Sequence, residues 1–234
     1  MKTETGRLAE IWVKNIDRSA AKERAEKILR QIKRYHREAR SVLELGVGLG
    51  AVLYHFKKFE KYGLDLGEAY VKVAKKVIPD AKFFVQNMVN FKINKKFDII
   101  FTTNECINEV QPYANWEKTF RNVYGHLNDG GLFILEMPTE HYLDWHKNNC
   151  VELEEKPSGY LWDKTHVEGN KLTWDTIYFK KLKNGLYEVE KDKYYEFIHS
   201  AIKVKKSLEK NFKILKTIYF NNHENVIIVC RKLK

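Results

Sequence analysis

A short apolar run ending in three closely spaced glycines, Val42-Leu43-Glu44-Leu45-Gly46-Val47-Gly48-Leu49-Gly50, constrains this chain more than any other stretch. Apolar residues entering a glycine-rich turn, with a polar lead-out through Tyr54 and His55, predict a buried strand, a tight loop and a helix start. Glycine at Gly46, Gly48 and Gly50 permits positive φ and lets a ligand approach the backbone without meeting a Cβ. The loop reads as a ligand platform. A second short apolar strand, Gly63-Leu64-Asp65-Leu66, ends in an acid 19 residues after Gly46. That separation places a carboxylate where the hydroxyls of a ribose would lie if a nucleoside were bound across the loop.

A dinucleotide loop would read G-x-G-x-x-G with a pyrophosphate on the helix N-terminus. Here the third glycine comes one residue early, and Glu44 stands two residues before the first. Residues 42–50 resemble motif I of the class I S-adenosylmethionine-dependent methyltransferases, and Asp65 resembles the acid of their second strand. The resemblance implies S-adenosylmethionine as cofactor and S-adenosylhomocysteine as product, with Glu44, Gly46, Gly48, Gly50, Asp65 and Leu66 around them. It makes Trp12 a lid aromatic. In Gln86-Asn87-Met88, Asn87 departs from the acid of many members, yet its amide oxygen can accept from the adenine amino group, with Met88 beside the ring. Thr103 and Asn104, leaving the fourth strand, complete the expected cofactor set.

The order of elements predicts an α/β fold: a Rossmann-like seven-stranded sheet, largely parallel, with helices on both faces and the crevice at the strand C-termini. Helices are expected at 20–36, 68–78 and 115–127, and strands at 41–46, 61–66, 81–85, 97–102 and 132–137. From Thr139 to Ile198 the pattern changes to consecutive strand-like runs, with turns at Glu168-Gly169-Asn170 and Asn184-Gly185. Asn-Gly between such runs signals a hairpin. Residues 139–198 are therefore expected to form an antiparallel insertion after the fifth strand, a substrate cap within a single 1–234 methyltransferase domain. A helix near 201–211 and strands at 212–220 and 225–231 close the chain. Such an insertion covers the active site in glycine N-methyltransferase and amino-sugar N,N-dimethyltransferases, so the resemblance extends to small-molecule N-methyltransferases.

Composition narrows the class. The 234 residues are 44% hydrophobic and 13% aromatic, enough for a packed core rather than a disordered chain. No apolar run reaches the length of a membrane span and the first residues lack an apolar leader, so a cytoplasmic protein with no membrane partner is expected. Cys106, Cys150 and Cys230 lack metal-ligand spacing. The net charge of +11 comes from lysines scattered among acids over every segment, the pattern of a solvated surface. Nucleic acid is thus the less favoured partner, and a homodimer stays open.

Transfer of a methyl group from a sulfonium is an in-line displacement, which asks a protein for alignment and exclusion of water. Expected catalytic groups are Glu105, His141 and Tyr142, with Asn108 and Trp145 toward a small-molecule acceptor, and Trp162 and Trp174 as further walls. The exit loop lacks the Asn/Asp-Pro-Pro-aromatic signature of enzymes that methylate base amines, which argues against nucleobase N-methylation. An amine on a small molecule is the expected acceptor. An RNA or protein methyltransferase using the basic surface, or a non-catalytic cofactor-binding module, are the alternatives.

Overall fold

The computed structural model describes residues 18–233. It opens with α1 (Arg18–Tyr35), whose buried Ala21, Ala25, Ile28 and Ile32 recur at helical spacing and pack on the sheet. Arg231 Nη2 donates to the Tyr35 carbonyl at 2.7 Å and so satisfies the end of the helix. Strands β1 (Ser41–Leu45), β2 (Glu60–Asp65), β3 (Lys82–Val85) and β4 (Phe97–Thr102) follow, with α2 (Glu68–Val77) between β2 and β3. Then come α3 (Tyr113–His126) and β5 (Leu127–Pro138). The chain closes with β10 (Phe212–Phe220) and β11 (Asn225–Lys232).

These strands form one seven-stranded sheet in the order β10-β11-β5-β4-β1-β2-β3. The pairs from β3 through β5 are parallel, whereas β11 runs antiparallel to both β5 and β10. Alternate residues of the central strands go to opposite faces. Leu43 and Leu45 join Trp116, Phe120 and Val123 of α3 on one side, and Val42 joins Ile28, Val71 and Ala74 on the other. Both faces are covered, as a parallel sheet requires. Because strand order reverses between β1 and β4, the loops after these two strands diverge and leave a crevice at their C-terminal ends.

The expected helix after the glycine loop is a three-residue 3-10 turn, Leu53–His55. Val52, Leu53 and Phe56 are buried there, and the short return to Glu60 leaves no length for a longer helix. Residues 139–198 do contain an antiparallel sheet, of four strands rather than three: β6 (Val151–Lys156), β7 (Gly159–Glu168), β8 (Lys171–Lys181) and β9 (Tyr187–Phe197). A helix absent from the sequence expectation, α4 (Glu140–Asn148), precedes them, with Thr139 accepting from the His141 N–H as its cap. Helix α5 (Ala201–Leu208), capped by Ser200, returns the chain to the main sheet. Among the described residues, no helix is long and apolar enough to cross a membrane.

At the end of the sheet remote from the crevice, Asp98 pins three strands. Its Oδ2 accepts from the Arg40 and Ser41 N–H groups at 2.9 and 3.0 Å and from Ser41 Oγ, and Oδ1 accepts from Asn128 Nδ2 at 2.8 Å. Partial burial alone would raise its pKa, but these donors outweigh that and hold it below the ordinary aspartate value. A lowered native pKa gives stability that is present above the unfolded value and is lost as the pH falls through the native one. Asp98→Ala should therefore cost about 2 kcal/mol at pH 7, where it strands donors to a charged acceptor. Urea unfolding should show that difference shrinking below about pH 4.

Candidate active site

The glycine loop leaves β1 with Gly46, Gly48 and Gly50 at φ of 72°, 51° and 81°. All three lie in the left-handed region that favours glycine. A Cβ on Gly46 would fall 2.6 Å from Cys106 Cβ, so this position is also a packing requirement. A Cβ on Gly48 would meet nothing within 4 Å, which marks open space above the loop. Asp65 ties the loop to the end of β2: the Gly48 N–H donates to Oδ2 at 2.8 Å and the Gly67 N–H to Oδ1 at 2.9 Å. Burial raises the Asp65 pKa, and these backbone donors temper the rise. Each carboxylate oxygen keeps a further lone pair for a ligand hydroxyl.

Glu44 lies beneath the loop, almost fully buried, and accepts from Thr103 Oγ1 at 3.3 Å. Its second oxygen has no partner among the described residues. Burial pushes its pKa well up, tempered by the Thr103 hydroxyl. Met88 is buried beside Gly46, its Cε 3.5 Å from where a Cβ would stand. Asn87 Oδ1 already accepts the Val89 N–H at 2.9 Å, an Asx turn that fixes the amide and leaves one acceptor site. Leu66 is exposed at the rim. Trp12 lies outside the described residues.

The exit of β4 is strained. Asn104 and Glu105 adopt φ of 54° and 58°, left-handed values that bulky residues rarely take. Two such residues in succession are an arrangement typical of functional loops, where surrounding contacts hold the strain. The following turn, Cys106–Glu109, is clamped at both ends: Cys106 Sγ donates to the Gly46 carbonyl, and buried Asn108 Nδ2 donates to the Phe197 carbonyl at the end of β9. Desolvation, eased by Arg24 and reinforced by Glu136, lifts the half-buried Glu105 to about 7. Arg24 itself is committed to Glu136, its Nε 3.0 Å from Oε1.

Above this floor stands the inner face of the four-stranded sheet. Strand parity puts Trp174 opposite Tyr194 and Leu172 opposite Glu196 on that face. Trp162 pairs with Ile177 on the other face, so it is not a wall of the crevice. Tyr142 and Trp145 reach the same region from α4, flanking His146, whose ring is 4.8 Å from Trp174. His146 has neither ring nitrogen bonded among the described residues, and burial lowers its pKa to about 4, which keeps it neutral. His141, by contrast, sits exposed in the first turn of α4 with its ring 6.2 Å from His223.

Sequence reasoning missed Arg24, Glu136, Tyr194 and Glu196. For the last two the signal is visible only in register: Asp192, Tyr194 and Glu196 alternate along β9, but nothing in the chain says which alternate set turns inward.

Known proteins share this layout. Residues 42–131 match a family described as "methyltransferase domain". A dTDP-3-amino-3,4,6-trideoxy-alpha-D-glucopyranose N,N-dimethyltransferase of Streptomyces venezuelae is 29% identical over 101 residues, 42% of this chain and 43% of that protein. The chain thus matches less than half the length of that curated relative. An S-adenosylmethionine-dependent methyltransferase from Clostridium acetobutylicum superposes with a TM-score of 0.83 at 17% identity, over 97% of this chain and 98% of its own. The S-adenosylmethionine-bound CalS10, an amino pentose methyltransferase from Micromonospora echinaspora, gives 0.76 at 15% identity, over 91% and 92%.

An acid with a raised native pKa contributes stability below its unfolded value that is lost as the pH rises through the native one. Carboxyl 13C titration should therefore find midpoints near 7 for both Glu105 and Glu109, of which only the first disappears in Glu105→Gln. In thermal melts, that variant should lose less stability than the wild type between about pH 4.3 and 7. The glycine loop, the Asp65 tether and the strand order agree with these likenesses: residues 42–131 match a methyltransferase domain, and the chain has the fold of the class I S-adenosylmethionine-dependent methyltransferases.

Proposed function

We propose that the protein transfers a methyl group from S-adenosylmethionine to the nitrogen of a small-molecule amine. The observation that carries this reading is the coupling of three left-handed glycines to Asp65, which leaves an open platform with a carboxylate at its edge. The fit is chemical as well as spatial: bare backbone at Gly48 admits the amino acid part of the cofactor, and the free lone pairs of Asp65 suit vicinal hydroxyls. Asn87 and Met88 then lie where an adenine would rest. The names of the relatives, which include N-methyltransferases of amino sugars, support an amine acceptor.

Bound there, S-adenosylmethionine supplies an electrophilic methyl carbon on a sulfonium. The amine would have to arrive unprotonated, so that its lone pair could take the methyl carbon while the C–S electron pair stayed with sulfur. The methylated nitrogen then carries an extra proton. Glu105 is the group suited to take it, since a carboxyl with a pKa of about 7 is a far better base than an exposed glutamate and is substantially ionised at neutral pH. Its strained backbone and the clamps at Cys106 and Asn108 keep it from drifting. Tyr142 and Trp145 serve as aromatic walls that exclude water from the nucleophile.

Calorimetric titration should give micromolar binding of S-adenosylmethionine and S-adenosylhomocysteine and none of NAD; failure of the first two sinks the proposal. Asp65→Ala should weaken S-adenosylmethionine by about 1–3 kcal/mol, through loss of charge-assisted hydrogen bonds. An unchanged affinity in that variant, with an unchanged melting temperature, removes Asp65 from the site.

A further inference from the structure

Arg24 lies on the side of α1 that faces the sheet, three residues after buried Ala21 and four before buried Ile28. A guanidinium placed there needs a partner, and Glu136 on β5, 2% exposed, supplies one: Arg24 Nε donates to its Oε1 at 3.0 Å. The pair is single-pronged. Glu136 Oε2 is buried without a partner among the described residues, whereas an arginine that served only to staple α1 to the sheet would close on both oxygens in the fork this ion pair favours. The Nη groups of Arg24 make no hydrogen bond among the described residues.

The register brings a second acid to the same guanidinium. Thr102 pairs with Leu135, so the next position of β5, Glu136, comes alongside Thr103, two residues before Glu105. Glu105 is the N-cap of the Cys106–Glu109 turn, where an acid ordinarily accepts from the N–H groups of the turn, yet its carboxyl makes no such bond. Its left-handed backbone, at φ 58°, departs from the extended conformation that capping uses. Arg24 from α1 attracts the Glu105 carboxylate and Glu136 from β5 repels it. Tyr142 from α4, Tyr194 and Glu196 from β9, and Cys106 next in the chain complete its titratable surroundings. Arg24 is the cation of this set.

We propose that Arg24 is a positioning residue for Glu105: Glu136 holds the guanidinium through Nε and leaves its Nη groups to steady the Glu105 carboxylate that accepts a proton from the methylated nitrogen. This rests on the reading of Glu105 as the proton acceptor of an amine methyltransferase and adds the group that prepares it. Arginine stays protonated throughout, so the proton ends on Glu105 and Arg24 takes none. Glu136 acts in two ways at once. It anchors the cation, and its own negative charge opposes a second one at Glu105, so the balance between Arg24 and Glu136 sets how readily Glu105 ionises.

The test is carboxyl 13C titration of the full chain as wild type, Arg24→Gln, Arg24→Lys and Glu136→Gln. Loss of the cation in Arg24→Gln should raise the Glu105 midpoint by about one pH unit or more, and loss of the neighbouring negative charge in Glu136→Gln should lower it. Arg24→Lys, which keeps the charge, should return most of the shift. Glu109 titrates in the same range, but the charges that act on it include Asp65 and Asp192 and not Arg24, so its midpoint should stay in place in all three variants. A general loosening of the fold would move both. The proposal is overturned if Arg24→Gln leaves the Glu105 midpoint unmoved, if Arg24→Gln and Glu136→Gln move it the same way, or if Glu109 moves with it. Should Arg24→Gln fail to melt cooperatively, Glu136→Gln decides: a lowered midpoint supports the proposal and an unmoved or raised one overturns it. The titration needs no cofactor, so failure of the wild type to bind S-adenosylmethionine would strike the parent reading separately.

Discussion

The contact between Gly46 and Cys106 is the constraint on which the rest of the site depends. With any side chain at residue 46, the β4 exit could not come this close, since a Cβ would overlap both Cys106 Cβ and Sγ. Because it does come close, Cys106 can donate to the Gly46 carbonyl and Thr103 can reach Glu44 beneath the loop. Met88 closes the same junction from the third strand's side. Three loops from three strands thereby form one floor, and Asp65 fixes its outer edge through Gly48. The left-handed Asn104 and Glu105 are the conformational cost of turning the chain sharply enough to make that junction.

Electrostatics then divides the molecule. Lysines spread over the surface keep the chain cationic, whereas the carboxyls that burial has driven toward neutrality gather around the crevice: Glu44, Glu105 and Glu196 all have raised pKa values. Glu136 is the partial exception, because Arg24 offsets its desolvation. Gathering them as a set of full charges would be costly, and their raised pKa values express that cost.

How much of this could be read from the chain varies with the range of the interactions that decide it. The glycine loop, Asp65 and the parallel strands are local patterns, and β4 appears over the residues expected of it. Hairpin turns at Gly169 and Gly185 follow from backbone chemistry at those glycines, both with positive φ. The helix expected after Gly50 is missing because the return distance to β2, not the residues, limits it. Strand β6 escaped because Val-Glu-Leu-Glu-Glu-Lys is a charged edge strand whose alternation resembles a solvated loop. Helix α4 had a legible cap in Thr139, but its nine residues are polar enough to hide the periodicity. Which wall Trp174 forms, and that Trp162 forms none, is set by register against β7 and β9, a long-range fact.

The insertion begins and ends at fixed points of the main sheet. At its start, the Thr139 N–H donates to the Glu224 carbonyl at 2.7 Å and Thr139 Oγ1 donates to the His223 carbonyl, both in the turn joining β10 to β11. At its finish, Asn108 holds the Phe197 carbonyl and Ser200 starts α5. Neither anchor uses a residue of the glycine loop or Asp65. The four strands between them therefore form a separately anchored roof, whose side chains can change without disturbing the Gly48–Asp65 tether below.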